Sequence, residues 1–185
     1  MLNHKGTILL ETDRLILRRF VITDAEAMFK IWANDKRVTE YLSWQPHANG
    51  EVTKELIDLW IDNYVKIDTY NWAIFSKEHH TIIGSIGVVS NKEATLACEL
   101  GWCIGYNYWN KGYVTEAGHK VLDFLFDEVG YNRITAHHNK DNIRSGKVMT
   151  KIGMQYEGLL RQQDLNNKGE LIDMIIYAIL KEDRK

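Results

Sequence analysis

Between residues 112 and 129 the apolar side chains recur three and four positions apart. Val114, Ala117, Val121, Leu122, Leu125, Phe126 and Val129 form one stripe, and Glu116, Lys120, Asp123, Asp127 and Glu128 lie outside it. That period predicts an amphipathic helix with one face in a core. Read the same way, the chain predicts helices at 24–33, 51–68 and 142–152 as well, the second burying Val52, Leu56, Leu59, Trp60, Tyr64 and Ile67. Strands are predicted at 14–20, 71–77, 81–90, 95–105, 132–138, 154–164 and 170–180. Short connections between the second, third and fourth strands favour antiparallel hairpins, whereas the strand, helix and strand over 95–138 call for a parallel right-handed crossover. The expected fold is α/β with a mixed sheet. There is no repeat, low-complexity segment or linker, and the single proline, Pro46, lies between the first two helices.

Where the fourth strand meets the long helix, residues 99–116 read ELGWCIGYNYWNKGYVTE, a buried strand, an aromatic loop and a tight turn at Gly112. The first turn of a helix has N–H groups without intrahelical partners and a partial positive charge, so phosphates bind there without a metal. The two commonest phosphate loops are excluded. G-x-x-x-x-G-K-[ST] does not occur, and Gly84, Gly87, Gly101 and Gly105 never compose G-x-G-x-x-G.

A second polar turn follows the strand ending near His138, in NKDNIRSGKVMTKIGM. Asn142 and Ser145 lie three apart, on the helix face continued by Met149 and Ile152. Asp141 or Asn142 serves equally well as a plain N-cap, and Gly153 stops the helix.

At 185 residues, with 45% hydrophobic and 11% aromatic content, the chain can bury one sizeable core, so one domain over 1–185 is expected, its core spanning about 12–181. A net charge of −2 and a pI near 6.4 argue against nucleic acid as the main ligand. The first residues lack the apolar centre of a signal peptide and no run approaches a membrane span, so a cytoplasmic location without membrane contact is expected. Cys98 and Cys103 are too few for a disulfide scaffold and, at odd separation in one strand, take opposite faces. His79-His80 and His137-His138 lack a second cluster at ligand spacing and HExxH is absent, so no metal is expected.

Four pieces in order, TDRLILRRF, ELGWCIGYNYWNKGYVTEA, NRITAHHNKDNIRSGKVMTKIGM and YEGLLRQQ before a hydrophobic last strand, resemble the GCN5-related N-acetyltransferases (GNAT), and within them the RimJ/RimL-like branch, along nearly the whole chain. The family's acetyl-CoA loop, Q/R-x-x-G-x-G/A, falls on Trp109, Asn110, Lys111, Gly112, Tyr113 and Val114, and Trp in first place is usual for the branch. Two positions depart from the pattern. Val114 replaces Gly or Ala, so its side chain must enter the core, and Asn110 stands where Gly is frequent, a milder change because Asn tolerates left-handed backbone. Weaker or re-angled cofactor binding is expected.

The resemblance implies a mostly antiparallel sheet splayed at a parallel strand pair, with the pantetheine arm along the strand edge at Trp102, Cys103 and Ile104. It places the pyrophosphate on the main chain from Lys111 through Thr115, and Asn142 on the pantetheine or the helix start. It also implies direct transfer of acetyl from acetyl-CoA to a primary amine. An α-amine titrates near ~7.8 against about 10.4 for lysine, so a peptide or protein N-terminus is the first acceptor class. Small polyamines or antibiotic-like amines come next, and a catalytically silent acetyl-CoA sensor is the rival reading. Glu99, on one strand face with Gly101 and Cys103, is the candidate base, directly or through water, although it can equally pair with a neighbouring strand. Ser145 is the candidate donor to the departing thiolate, because Met149 stands where relatives outside the branch often carry Tyr and a thioether has no proton to give. Cys103 offers a competing acetyl-cysteine route. Tyr41, Trp44 and His47 are expected to wall the acceptor cleft, together with residues 164–169. Glu40, Glu51, Asp58 and Asp62 either attract a cationic acceptor or form a solvated face. Monomer and homodimer both remain open.

Overall fold

Strand alternation and helix period converge on a single sheet clad on both sides, in a computed structural model that describes residues 1–184. Its eight strands run in the spatial order β1-β2-β3-β4-β5-β6-β8-β7. They are β1 (Leu10–Glu11), β2 (Leu15–Arg18), β3 (Asn71–Ser76), β4 (Thr81–Lys92), β5 (Ala97–Ile104), β6 (Arg133–Asn139), β7 (Gln155–Leu165) and β8 (Leu171–Leu180). All neighbours are antiparallel except β5 and β6. The helices are α1 (Ala25–Met28), extended by a π turn over Phe29–Ala33, α2 (Lys36–Thr39), α3 (Gly50–Asn63), α4 (Tyr113–Asp123), extended by a π turn over Phe124–Val129, and α5 (Ile143–Lys151). No helix among the described residues is long and apolar enough to cross a membrane.

Alternation sorts each strand's side chains between two cores. Trp72 and Ile74 of β3, with Cys98 and Leu100 of β5, pack under Ala117, Val121 and Leu125 of α4 and Met149 of α5. Ala73 takes the opposite face with Ile82, against Phe20, Met28, Trp32 and Ile57 from the α1–α3 layer. The expected stripe of α4 is buried throughout, Val114 included at 6% exposure, although Val114 packs in neither core cluster.

β5 and β6 are in register only at Ala97, Cys98 and Glu99 against Arg133, Ile134 and Thr135. Opposite, β4 and β5 shift register between Val88 and Ser90. A bulge of this kind bends a strand and increases its twist, while β6 stays paired to β8 along its whole length. Beyond Glu99 the parallel strands therefore diverge, and the β6-facing edge of β5 is left without a ladder partner among the described residues.

The second predicted helix differs from expectation in length and phase. It ends at Asn63, and its inward residues are Thr53, Ile57 and Tyr64 with half-buried Leu56, Trp60 and Ile61, whereas Val52, Leu59 and Ile67 are exposed. Tertiary hydrogen bonds set this phase. The Tyr64 hydroxyl donates to Asn71 O at 2.7 Å and accepts from the Phe20 N–H at 3.0 Å, which fixes the rotation of the last turn against the sheet. The strand predicted from 95 begins at Ala97, because Glu93–Thr95 forms a 3-10 turn closed by left-handed Leu96.

Candidate functional site

The turn that opens α4 is built by two residues in left-handed backbone, Asn110 at φ 59° and Gly112 at φ 80°. The first i→i−4 bond of the helix runs from the Glu116 N–H to Gly112 O at 3.0 Å, and no side chain caps the N-terminus. The preceding amides, from Gly112 to Thr115, thus lack intrahelical carbonyls and share the positive end of the dipole. Glu116 braces the turn from below. Its Oε1 accepts from Thr12 Oγ1 at 2.5 Å and the Arg14 N–H at 3.0 Å, and its Oε2 accepts from Arg14 Nε at 2.6 Å. Arg14 reaches on through Nη1 to Lys111 O at 3.0 Å, and its guanidinium lies 4.6 Å from the Tyr113 ring centre. Burial works against ionisation of Glu116, but the bonds from Thr12 and Arg14 together outweigh it and hold the carboxyl below its usual range.

One cleft of about 1150 Å³ joins this turn to the divergent strands. Trp102, Cys103 and Ile104 line it on the free edge of β5, and Trp109, Asn110, Gly112, Tyr113, Val114 and Thr115 line it at the turn. Trp109 is held there by its Nε1, which donates to Ile104 O at 2.9 Å, while Arg144 of α5 stacks over its ring at 5.1 Å. Lys111 contributes main chain to the turn, and its Nζ lies 5.7 Å from the Tyr108 ring centre. Asn142 and Ser145 line the cleft from α5. Asn142 is also the N-cap, its Oδ1 accepting from the Ser145 N–H at 3.3 Å, so its capping role holds within the cleft wall.

Tyr41 and Trp44 line the far wall, with Asp164 and Leu165 from the end of β7. Asn167 ties these two regions together: its Nδ2 donates to Thr39 O at 2.8 Å, and its carbonyl accepts from Gln45 Nε2. The expectation for His47 fails. Its Nδ1 contacts Thr53 Oγ1 at 2.7 Å and its ring packs on Trp44, so it braces α3 behind the wall. Glu40, Glu51, Asp58 and Asp62 are exposed, and none of them lines the cleft.

Glu99 enters the cleft beside His137, a residue whose sequence context raises only the question of a metal ligand. His137 Nδ1 lies 3.0 Å from Glu99 Oε1, and Ser90 Oγ donates to Oε2 at 3.3 Å. His137 in first place, against the effect of burial, holds the Glu99 carboxyl below its ordinary range. Alternation along two parallel neighbours was the available signal for this pair. The Cys103 thiol is pushed up to about 12 by burial, which leaves almost no thiolate at neutral pH and argues against the acetyl-cysteine route. Among the described residues, no three His, Cys, Asp or Glu side chains gather as a metal site.

A family model described as "Acetyltransferase (GNAT) domain" matches residues 14–155. The "Uncharacterized N-acetyltransferase YoaA" of Bacillus subtilis (strain 168) is 34% identical over 94% of this chain and 97% of its own. The "[Ribosomal protein uS5]-alanine N-acetyltransferase" of Escherichia coli (strain K12) is 24% identical over 94% of this chain and 91% of its own. Among solved structures, a GNAT-family acetyltransferase from Bacillus anthracis superposes with a TM-score of 0.81 at 27% identity, covering 95% of this chain and 99% of that one.

Proposed function

The chain belongs to the GNAT acetyltransferase family, and from that premise we propose that it transfers acetyl from acetyl-CoA directly to the α-amine of a peptide or protein N-terminus. One observation carries the reading: a helix N-terminus with free amides and a strand edge with free ladder groups open into the same cleft. Residues 111–115 would hold the diphosphate, and the edge at Trp102, Cys103 and Ile104 would hold the amide-rich pantetheine arm by main-chain pairing. When bound, acetyl-CoA supplies an activated thioester. The Glu99–His137 pair is assigned proton removal from the amine, and the Ser145 hydroxyl is assigned a hydrogen bond to the departing sulfur. A carboxylate and an imidazole meet the modest demand of an α-amine, whose ionisation lies far closer to neutrality than that of lysine. The uS5-alanine acetyltransferase of E. coli, a relative at 24% identity, favours an N-terminal acceptor.

An acceptor panel tests this. Peptides with free N-terminal alanine or serine, N-blocked lysine peptides and spermidine are offered with acetyl-CoA, and thiol release is followed. The free α-amine peptides are expected to give the highest kcat/KM. Preference for spermidine would replace the acceptor class, and calorimetric binding of CoA without thiol release to any acceptor would favour the sensor.

A further inference from the structure

We propose that His137 receives the proton from the acceptor amine at Nε2, and that Glu99 is a positioning residue that holds the ring through Nδ1. This deepens the amine-acetylation reading and rests on it.

The pair follows from strand geometry. Along β6, Ile134, Ala136 and His138 are buried on the α4 side, so Thr135 and His137 take the opposite face. On β5, Cys98 and Leu100 are buried on the α4 side, which sends Glu99 and Gly101 to that same opposite face. Glu99 and Thr135 are the last residues in register before the strands part. His137 is the next same-face position on β6 and stands at the mouth of the divergence, where it lines the cleft.

Both Glu99 oxygens are engaged, Oε1 by His137 and Oε2 by Ser90. A carboxylate held in this way is a poor proton acceptor and a good partner for an imidazole N–H. When Nδ1 carries the ring proton toward Oε1, the lone pair resides on Nε2, the division of labour by which an acidic neighbour selects a histidine tautomer. The His137 side chain is 23% exposed, so a substrate can approach it. Lys92 on β4 acts on Glu99. The β8 residue opposite His137 is Ile176, and beyond it on β7 stands Gly158. Arg133 on β6 is paired with Glu157 of β7. Arg144, Lys147 and Lys151 of α5 line the same cleft, as do Lys66, Asp68 and Asp164.

The step balances. The amine nitrogen passes a proton to Nε2, giving an imidazolium, and its electron pair forms the C–N bond to the acetyl carbon. The C–S bond breaks and sulfur keeps its electron pair. The imidazolium returns its proton to solvent, and the thiolate takes one up.

The test compares wild type, His137→Gln and Glu99→Gln, with an alanyl peptide and spermidine as acceptors. The profile is read on kcat, which reports groups in the bound complex. His137→Gln is expected to lower kcat by roughly 10²–10⁴-fold, the usual worth of a positioned base, and to remove the inflection on the acid limb. Its KM for acetyl-CoA should stay within about twofold of wild type, since the proton step does not touch the diphosphate site. Glu99→Gln is expected to lose less and to keep the inflection, because the imidazole that takes the proton is still present. An inflection lost in Glu99→Gln but retained in His137→Gln, or a fully active His137→Gln, overturns the assignment. Ring ¹⁵N shifts of His137 supply a readout that needs no turnover. The Nδ1–H tautomer is expected in wild type, and an Nε2–H tautomer overturns the proposal even if no acceptor is acetylated. A wild type that acetylates nothing in the panel yet shows the Nδ1–H tautomer would instead count against the functional reading alone.

Discussion

Removing the Glu116 carboxylate should loosen the turn that opens α4 and the fold together. Glu116→Ala takes away the acceptor for the Thr12 hydroxyl, the Arg14 N–H and the Arg14 guanidinium, and it frees Arg14 from its reach to Lys111 O. A hydrogen bond to a charged group contributes about 1.5–3 kcal/mol. The guanidinium contact is screened by solvent, since the Arg14 side chain is 44% exposed, and it adds only ~0–1 kcal/mol. Three bonds sharing one carboxylate do not add, so the expected loss is about 2–4 kcal/mol. In a chain of this length each kcal/mol moves Tm by roughly 2–4 °C, so calorimetry at neutral pH should show a fall of about 5–15 °C. CoA affinity should drop roughly tenfold as the turn loses its orientation, a change of about 1.4 kcal/mol. The pH dependence has a definite sign. Because the folded carboxyl titrates below its unfolded value, its stabilisation is complete above about 4.3 and disappears as pH falls through the lowered folded value. The Tm gap between wild type and Glu116→Gln should therefore close on acidification. A Glu116→Ala protein melting within about 2 °C of wild type, or a gap that widens in acid, would refute the brace.

Ser145→Ala should reduce single-turnover rates by about 10–100-fold, the value of one hydrogen bond to developing charge, with CoA binding retained; an unchanged rate removes Ser145 from the chemistry. Asn110→Ala places a Cβ-bearing residue of low left-handed tolerance at φ 59° and should cost about 1 kcal/mol, whereas Asn110→Gly should melt at or above the wild-type temperature. Gly84→Ala would put a Cβ 2.3 Å from Cys103 O and 2.9 Å from Ile104 Cα. The β4–β5 ladder must then separate, and circular dichroism should show a large drop in Tm; wild-type melting contradicts the packing.

Much of the architecture is legible in local pattern. The α4 stripe, the alternation of β5, the strand–helix–strand crossover and the left-handed positions at Asn110 and Gly112 depend on neighbours within a few residues, and these interactions carry the same sign in nearly any tertiary setting. The turn that opens α4, the edge at Trp102 to Ile104 and the Asn142–Ser145 face line one cleft, a meeting that the family resemblance implied and local pattern alone did not. The phase of α3 was not legible. Val52, Leu59 and Ile67 fit the stripe on paper as well as Leu56, Trp60 and Tyr64 do, yet they are exposed while Thr53 and Ile57 turn inward, a phase held by the bonds of Tyr64 to Phe20 and Asn71.

Contacts distant in sequence belong to the tertiary structure alone. Thr12 and Arg14 find Glu116 across more than a hundred residues, Asn167 meets Thr39 and Gln45, His47 turns away to Thr53, and His137 lands beside Glu99. Period and composition state which face a side chain takes, but strand order and register decide what it meets there. A one-residue slip between β5 and β6 would leave every pattern in the chain unchanged and would separate the carboxylate from the imidazole.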